Sequence, residues 1–156
     1  MSRPAGSARD RALRLLARRN HSSAELRLKL HRRGYAAEEI AQVLEECFAR
    51  GYLNDEETAL RWAEGLVRTK CWGRLKVGAY LAQKGIGRDV IDRVQRRIWQ
   101  DFSEEAVGRR AFQKRFAASK IPPSPAQAAA FLKSRGFSAP VIYRVAGMAV
   151  PDDDTT

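Results

Sequence analysis

The sequence predicts an all-α fold made of three tandem three-helix repeats that stack on one another. Three observations predict it. The motif Leu30-x-x-Arg33-Gly34-Tyr35-x-x-x-x-Ile40-x-x-Val43 returns as Leu81-x-x-Lys84-Gly85-Ile86-x-x-x-x-Ile91-x-x-Val94, and again as Leu132-x-x-Arg135-Gly136-Phe137-x-x-x-x-Ile142-x-x-Val145, each copy 51 residues after the last. Three such lengths nearly exhaust a chain of 156 residues, so the chain reads as one unit used three times. Apolar residues in each copy recur at helical spacing, and no stretch alternates as a strand does.

Within the motif each position has a physical role. Leu26 and Leu30 share a helix face, as do Val77 and Leu81, and Ala128 and Leu132. Gly34, Gly85 and Gly136 suit the left-handed residue that ends a helix. The cation before each glycine meets the negative end of the helix dipole. Tyr35, Ile86 or Phe137 folds back onto the finished helix. A second helix follows, striped by Ile40, Val43 and Cys47, by Ile91, Val94 and Ile98, and by Ile142, Val145 and Ala149. Each buried Leu, Ile or Val contributes roughly 1.5–3 kcal/mol. A single helix pair cannot close a core, so neighbouring copies must stack.

The elements follow in order. Residues 1–8 read as a flexible arm. Repeat 1 spans 9–53. Its first helix, about 9–19, is expected to bury Ala12, Leu13 and Leu16. Asn20-His21-Ser22-Ser23 breaks that helix, and Ser22 or Ser23 caps the next. A third helix begins near Ala37 with Glu38 and Glu39 in its first turn and ends near Gly51. Repeat 2 spans 54–102. Asn54 is its N-cap with Glu57 at N3, a variant of the capping box, and the helix carries Ala59, Trp62, Ala63, Leu66 and Val67 inward to about Lys70. Cys71-Trp72-Gly73 then opens the second helix pair. Repeat 3 spans 103–150, with Ser103 as cap and Phe112 and Phe116 expected to face inward. Ile121-Pro122-Pro123-Ser124-Pro125 interrupts helix, and Pro140 sits in the first turn of the last helix, where proline is tolerated. Residues 151–156 read as a disordered acidic tail.

Composition narrows the function. The chain is 44% hydrophobic and 30% charged, with 29 basic against 18 acidic residues, a net charge of +11. The excess is spread along the repeats: 11 basic and 6 acidic residues in 1–53, 10 and 7 in 54–102, 8 and 2 in 103–150. Such a footprint suits a polyanion or an acidic protein groove. No apolar run approaches the roughly 20 residues that span a bilayer, and the first residues lack the apolar stretch of a signal peptide. Two cysteines form neither a disulfide framework nor a zinc spacing. A cytoplasmic protein is the plain expectation.

No catalytic, metal-ligating or cofactor-binding constellation stands out. His21 lies in a turn and His31 on a polar helix side, without a nucleophile or carboxylate at recognisable spacing. The clusters Glu38/Glu39, Asp55/Glu56/Glu57 and Glu104/Glu105 all fall in first turns, where the helix dipole accounts for them. No phosphate-binding glycine loop appears. Two basic clusters are candidates for contact with DNA or a partner. Arg68, Lys70, Arg74 and Lys76 surround Trp72, so phosphates could be neutralised while the indole stacks on a base; the alternative is a core tryptophan among solvated cations. Arg11, Arg14 and Arg18 share one helix face and could form a phosphate-facing strip. A major-groove reading of the helix–Gly–helix element is weaker. The exposed positions after Gly34 include Glu38, Glu39, Glu45 and Glu46, which phosphates repel.

Gly51-Tyr52-Leu53-Asn54-Asp55 followed by Ala59 resembles a signature of the bacterial RecX regulatory family, with Thr58 where that pattern usually has phenylalanine. Gly73-Arg74-Leu75 with Leu81-x-x-Lys84-Gly85-Ile86 resembles its second signature, and Ser22/Ser23, Glu25, Leu26, Leu30 and Gly34 match a third element. The resemblance covers about residues 9–148 and is strongest in the middle third. It implies an elongated, curved array of three three-helix repeats. It also implies a non-enzymatic modulator, mainly an inhibitor, of the RecA recombinase, acting on the RecA–single-stranded DNA filament. Filament extension, strand exchange, ATP hydrolysis and co-protease activity would be dampened, within DNA repair and the SOS response. The partners expected are the RecA filament and single-stranded DNA, with double-stranded DNA a further candidate; the protein would act as a monomer, away from membranes. The alternative reading is a sequence-nonspecific nucleic-acid-binding scaffold without a recombinase partner.

Overall fold

The computed structural model describes residues 4–147, so the acidic tail and Ala149 of the last stripe lie outside the described residues. Among the described residues the secondary structure is helical, with no strand. Nine α-helices follow one another: α1 (Ala8–Arg18), α2 (Ser23–Arg32), α3 (Ala37–Ala49), α4 (Asp55–Gly65), α5 (Arg74–Gln83), α6 (Arg88–Asp101), α7 (Glu104–Phe116), α8 (Pro125–Ser134) and α9 (Ala139–Ala146). A π-helical turn, Leu66–Lys70, follows α4. The fold is all-α, in tandem three-helix repeats.

The chain divides into two compact units that do not coincide with the repeats. One comprises Met1–Trp62 with Leu81–Val94; the other comprises Ala63–Tyr80 with Gln95–Thr156. The middle repeat therefore contributes to both.

In the first unit α1, α2 and α3 pack pairwise around Ala8, Ala12, Leu15, Leu26, Leu30, Ile40, Val43, Leu44, Cys47 and Leu53. The buried face of α1 differs from the sequence expectation. Ala8, Ala12 and Leu15 are buried, while Leu13 and Leu16 are only half-buried. Two alanines and a leucine at i, i+4 and i+7 form a straighter stripe than the leucines alone suggest. Cys47 is core, 3% exposed. Ser22 is the cap of α2, in a complete capping box with Glu25, and Asn54 Oδ1 accepts the Glu57 N–H at 3.1 Å at the start of α4. Gly34 closes α2 at φ +91°, and Tyr35 N–H reaches back to the Leu30 carbonyl at 3.4 Å, the Schellman pattern the motif predicts. Gly85 repeats it at φ +80°, with Ile86 N–H on the Leu81 carbonyl at 3.0 Å. Thr58 is buried at 6% exposure.

In the second unit α7, α8 and α9 pack pairwise. Val67, Val77, Ile98, Val107, Ala111, Leu132 and Phe137 are among its buried residues. Phe112 and Phe116 are half-buried rather than core; they form an aromatic row with Phe131, at centroid separations of 5.0 and 5.5 Å. Ser124 and Gln127 make a capping box for α8, with Pro125 at its start.

Candidate polyanion-binding groove

The π-helical turn sets the site in the second unit. It ends at Cys71, whose φ of 51° and ψ of 46° are left-handed, a conformation that costs a non-glycine residue about 1–2 kcal/mol. The neighbours of the turn hold it there. Arg110 of α7 donates from one Nη to the carbonyls of Val67 (2.8 Å) and Arg68 (3.0 Å), and from Nε to Cys71 Sγ (3.2 Å). A guanidinium thus satisfies the carbonyls that a helix end leaves without partners. Immediately afterwards, Gly73 N–H donates to the Arg135 carbonyl at 2.8 Å and Leu75 N–H to the Gly136 carbonyl at 2.9 Å. A Cβ on Gly73 would run into the Gly136 carbonyl and the Phe137 backbone. That close approach is why glycine stands at this helix entry.

The turn and the start of α5 deliver three side chains to one place. Lys70 Nζ lies 5.1 Å and Lys76 Nζ 4.4 Å from the centre of the Trp72 ring, both within cation–π range. Trp72 is half-buried and meets Tyr80 edge-on at 6.1 Å. Lys76 also donates to the Ser134 carbonyl at 3.4 Å. Arg135 stands over Phe131 at 5.3 Å. Together with Lys114 and Arg115 these groups line a groove of about 540 Å³ in which no carboxylate takes part. Burial, followed by the charges of Arg135 and Lys70, lowers the pKa of Lys76 from the ordinary lysine value. The groove holds cations that repel one another, and an incoming anion would relieve that repulsion.

The basic residues named from sequence thus have different surroundings. Lys70, Trp72 and Lys76 converge. Arg68 sits over Phe102 at 4.9 Å. Arg74 pairs with Glu104 at 3.7 Å and faces the Trp99 ring at 5.7 Å, so its charge is partly neutralised. In the first unit Arg14 and Arg18 are exposed, whereas Arg11 is partly buried with its Nε hydrogen unbonded. Arg135, Phe131, Lys114 and Arg115 also line the groove, and no local sequence pattern marks them for it. They lie dozens of positions from Trp72 in sequence and reach it only through the fold.

The histidines have other surroundings. His21 is 2% exposed; its Nδ1–H donates to the Arg19 carbonyl at 3.0 Å, leaving Nε2 to accept from the Lys29 ammonium at 3.0 Å. His31 is exposed. Among the described residues no group of three or more His, Cys, Asp or Glu side chains is placed to hold a metal. No described helix is long and apolar enough to cross a membrane.

Comparison with known proteins decides the family. Residues 8–47 match the RecX first three-helix domain and residues 54–94 the RecX second three-helix domain. The chain belongs to the RecX family. The regulatory protein RecX of Halorhodospira halophila is 36% identical over 154 residues, 95% of this chain and 91% of that protein. Its counterpart in Chlorobaculum tepidum is 36% identical over 135 residues, 84% and 81% of the two chains. The fold also matches the crystal structure of RecX from Lactobacillus salivarius, with a TM-score of 0.76 at 17% identity over 88% of this chain and 91% of the other. Membership in RecX places the chain among regulatory proteins.

Proposed function

We propose that this RecX protein binds the RecA–single-stranded DNA filament and lowers its ATPase, strand-exchange and co-protease activities, without catalysing a reaction of its own. Family membership motivates the partner. The observation that carries the binding mode is the groove of Lys70, Lys76 and Arg135 around Trp72 and Phe131, whose charged lining is cationic and free of carboxylates. Ammonium and guanidinium groups neutralise phosphates, and neutralised phosphates release counterions. Three such contacts on a single strand correspond to a fall of about 2 in log K per decade of salt. The aromatic rings offer a sequence-tolerant surface for bases.

The decisive measurement is RecA ATP hydrolysis on single-stranded DNA with increasing amounts of the protein. A lowered rate is expected; an unchanged rate at several-fold excess over RecA would refute filament modulation. Tight, salt-sensitive DNA binding in that case would leave the plain nucleic-acid-binding scaffold as the surviving reading.

A further inference from the structure

The groove has a repeat-equivalent in the first unit. Stepping back 51 residues carries Lys70 to Arg19, Trp72 to His21, Lys76 to Glu25, Tyr80 to Lys29 and Arg135 to Lys84. These residues also gather. Lys29 Nζ is 3.0 Å from His21 Nε2, and His21 Nδ1–H is bonded to the Arg19 carbonyl. Arg19 Nη2 lies 2.8 Å from a Glu25 carboxylate oxygen. The Lys84 backbone is held at the same junction by Ser22, whose hydroxyl donates to the Lys84 carbonyl at 2.5 Å. The Lys84 ammonium stands 5.9 Å from the centre of the Trp62 ring.

The two sets share an anatomy and differ in charge. Around Trp72 the equivalent positions carry three cations, Lys70, Lys76 and Arg135. Around His21 they also carry three, Arg19, Lys29 and Lys84, but with one carboxylate, Glu25. The cations of the first unit are crowded as those of the second are. Burial, then the charge of Arg19, lowers the pKa of Lys29 from the ordinary lysine value, as burial and cationic neighbours do for Lys76. His21 is buried, so the position equivalent to Trp72 offers no ring to stack on.

We infer that the Arg19–Lys29–Lys84 junction is a second contact for the phosphate backbone of nucleic acid, sequence-independent and without base stacking, and that Glu25 sets it weaker than the groove around Trp72. The inference rests on the polyanion reading of that groove. Two cationic positions recur one repeat apart in sequence, Arg19 with Lys70 and Lys84 with Arg135; recurring positive charge suits a ligand whose negative charge also repeats, which a phosphodiester chain's does and a folded acidic protein's need not.

The test uses the full chain and oligothymidylate, with affinity followed across salt concentration. Glu25→Gln keeps a side-chain acceptor for the Ser22 cap and removes one negative charge. It is expected to tighten binding and steepen the log–log salt slope by about 0.7. Arg19→Gln and Lys84→Gln are expected to weaken binding and flatten the slope by a similar step. Lys76→Gln reports on the groove independently. If Lys76→Gln weakens binding while Glu25→Gln changes neither affinity nor slope, the second contact is refuted and the groove stands. If Lys76→Gln also has no effect, the polyanion reading itself falls and the second contact with it. Should Arg19→Gln or Lys84→Gln lower the melting temperature, the Glu25→Gln result still decides. Tightening toward polyglutamate in place of oligothymidylate would overturn the assignment to nucleic acid.

Discussion

The Ser22 hydroxyl donates to the Lys84 carbonyl across 62 residues of sequence, at 2.5 Å. One repeat later, Gly73 N–H donates to the Arg135 carbonyl at 2.8 Å. The two junctions make the same connection with different donors, a hydroxyl in one and a backbone amide in the other. Ser22 is fully buried and also caps α2. Ser22→Ala therefore removes a cap and leaves a part-buried carbonyl without its donor. A loss of about 2 kcal/mol or more is expected by chemical denaturation. Loss of only a few tenths would mean that water replaces the hydroxyl.

Gly85 and Gly34 separate two costs of adding a methyl group. Both lie at positive φ, +80° and +91°. A Cβ at Gly34 meets nothing within 4 Å, whereas one at Gly85 collides with Ala24 Cβ. Gly34→Ala should cost about 1 kcal/mol from backbone strain alone. Gly85→Ala should cost about 1–3 kcal/mol beyond that from overpacking. Equal melting temperatures for the two variants would contradict the close approach of Gly85 to Ala24.

His21 gives stability a pH dependence. Its pKa is lowered by burial first; the neighbouring Arg19 and Lys29 charges add to this, opposed by the hydrogen bond to the Arg19 carbonyl and the Glu25 carboxylate. The unfolded chain then binds a proton near pH 6.5 that the folded chain refuses. Stability is full above that pH and declines as pH falls through the window below it, by at most about 1.4 kcal/mol per pH unit. His21→Gln should flatten the melting profile between pH 7 and about pH 5, even if it lowers stability at neutral pH. A wild-type profile already flat across that window would argue against the buried neutral imidazole.

Arg110 is a positioning residue for the groove. It touches the turn carbonyls and Cys71 Sγ, and it is not among the groove-lining side chains. Arg110→Ala should weaken single-stranded DNA binding with a salt slope lowered by more than one charge accounts for, because the turn carrying Lys70 loosens. Arg110→Lys keeps the charge and loses the forked geometry. If it binds as wild type does, Arg110 acts through charge alone.

Trp72→Ala removes the ring that both lysines face. Where a base stacks there, the loss is about 1–3 kcal/mol of DNA affinity, and Trp72→Phe restores most of it. A Trp72→Ala variant that binds normally and melts normally would reduce Trp72 to a spacer between cations.

Much of the fold is legible in the sequence because its determinants are local and repeated. A glycine four residues after a leucine, followed by an apolar residue, specifies a helix end through short-range sterics, and the structure shows that pattern at Gly34 and Gly85. The stripe of α1 was less legible. Alanines at 8 and 12 pack by closeness rather than by size, whereas the larger Leu13 and Leu16 are only half-buried, Leu16 against the edge of the core. The groove was half legible. Lys70, Trp72 and Lys76 fall within one short window, but Phe131 and Arg135 reach it only through the fold. The partnership of His21 with Lys29 was invisible, since an imidazole in a turn gives no sign of its burial.

The repeat and the compact unit are out of phase, and that offset bears on how the protein is born. A ribosome finishes the first three-helix domain at Cys47, yet the first unit also draws on Leu81–Val94. Ser22 must wait for Lys84 before its hydroxyl finds its acceptor. The opening helices therefore emerge with an unfinished seam, and translation has to run well into the second repeat before the N-terminal half can lock.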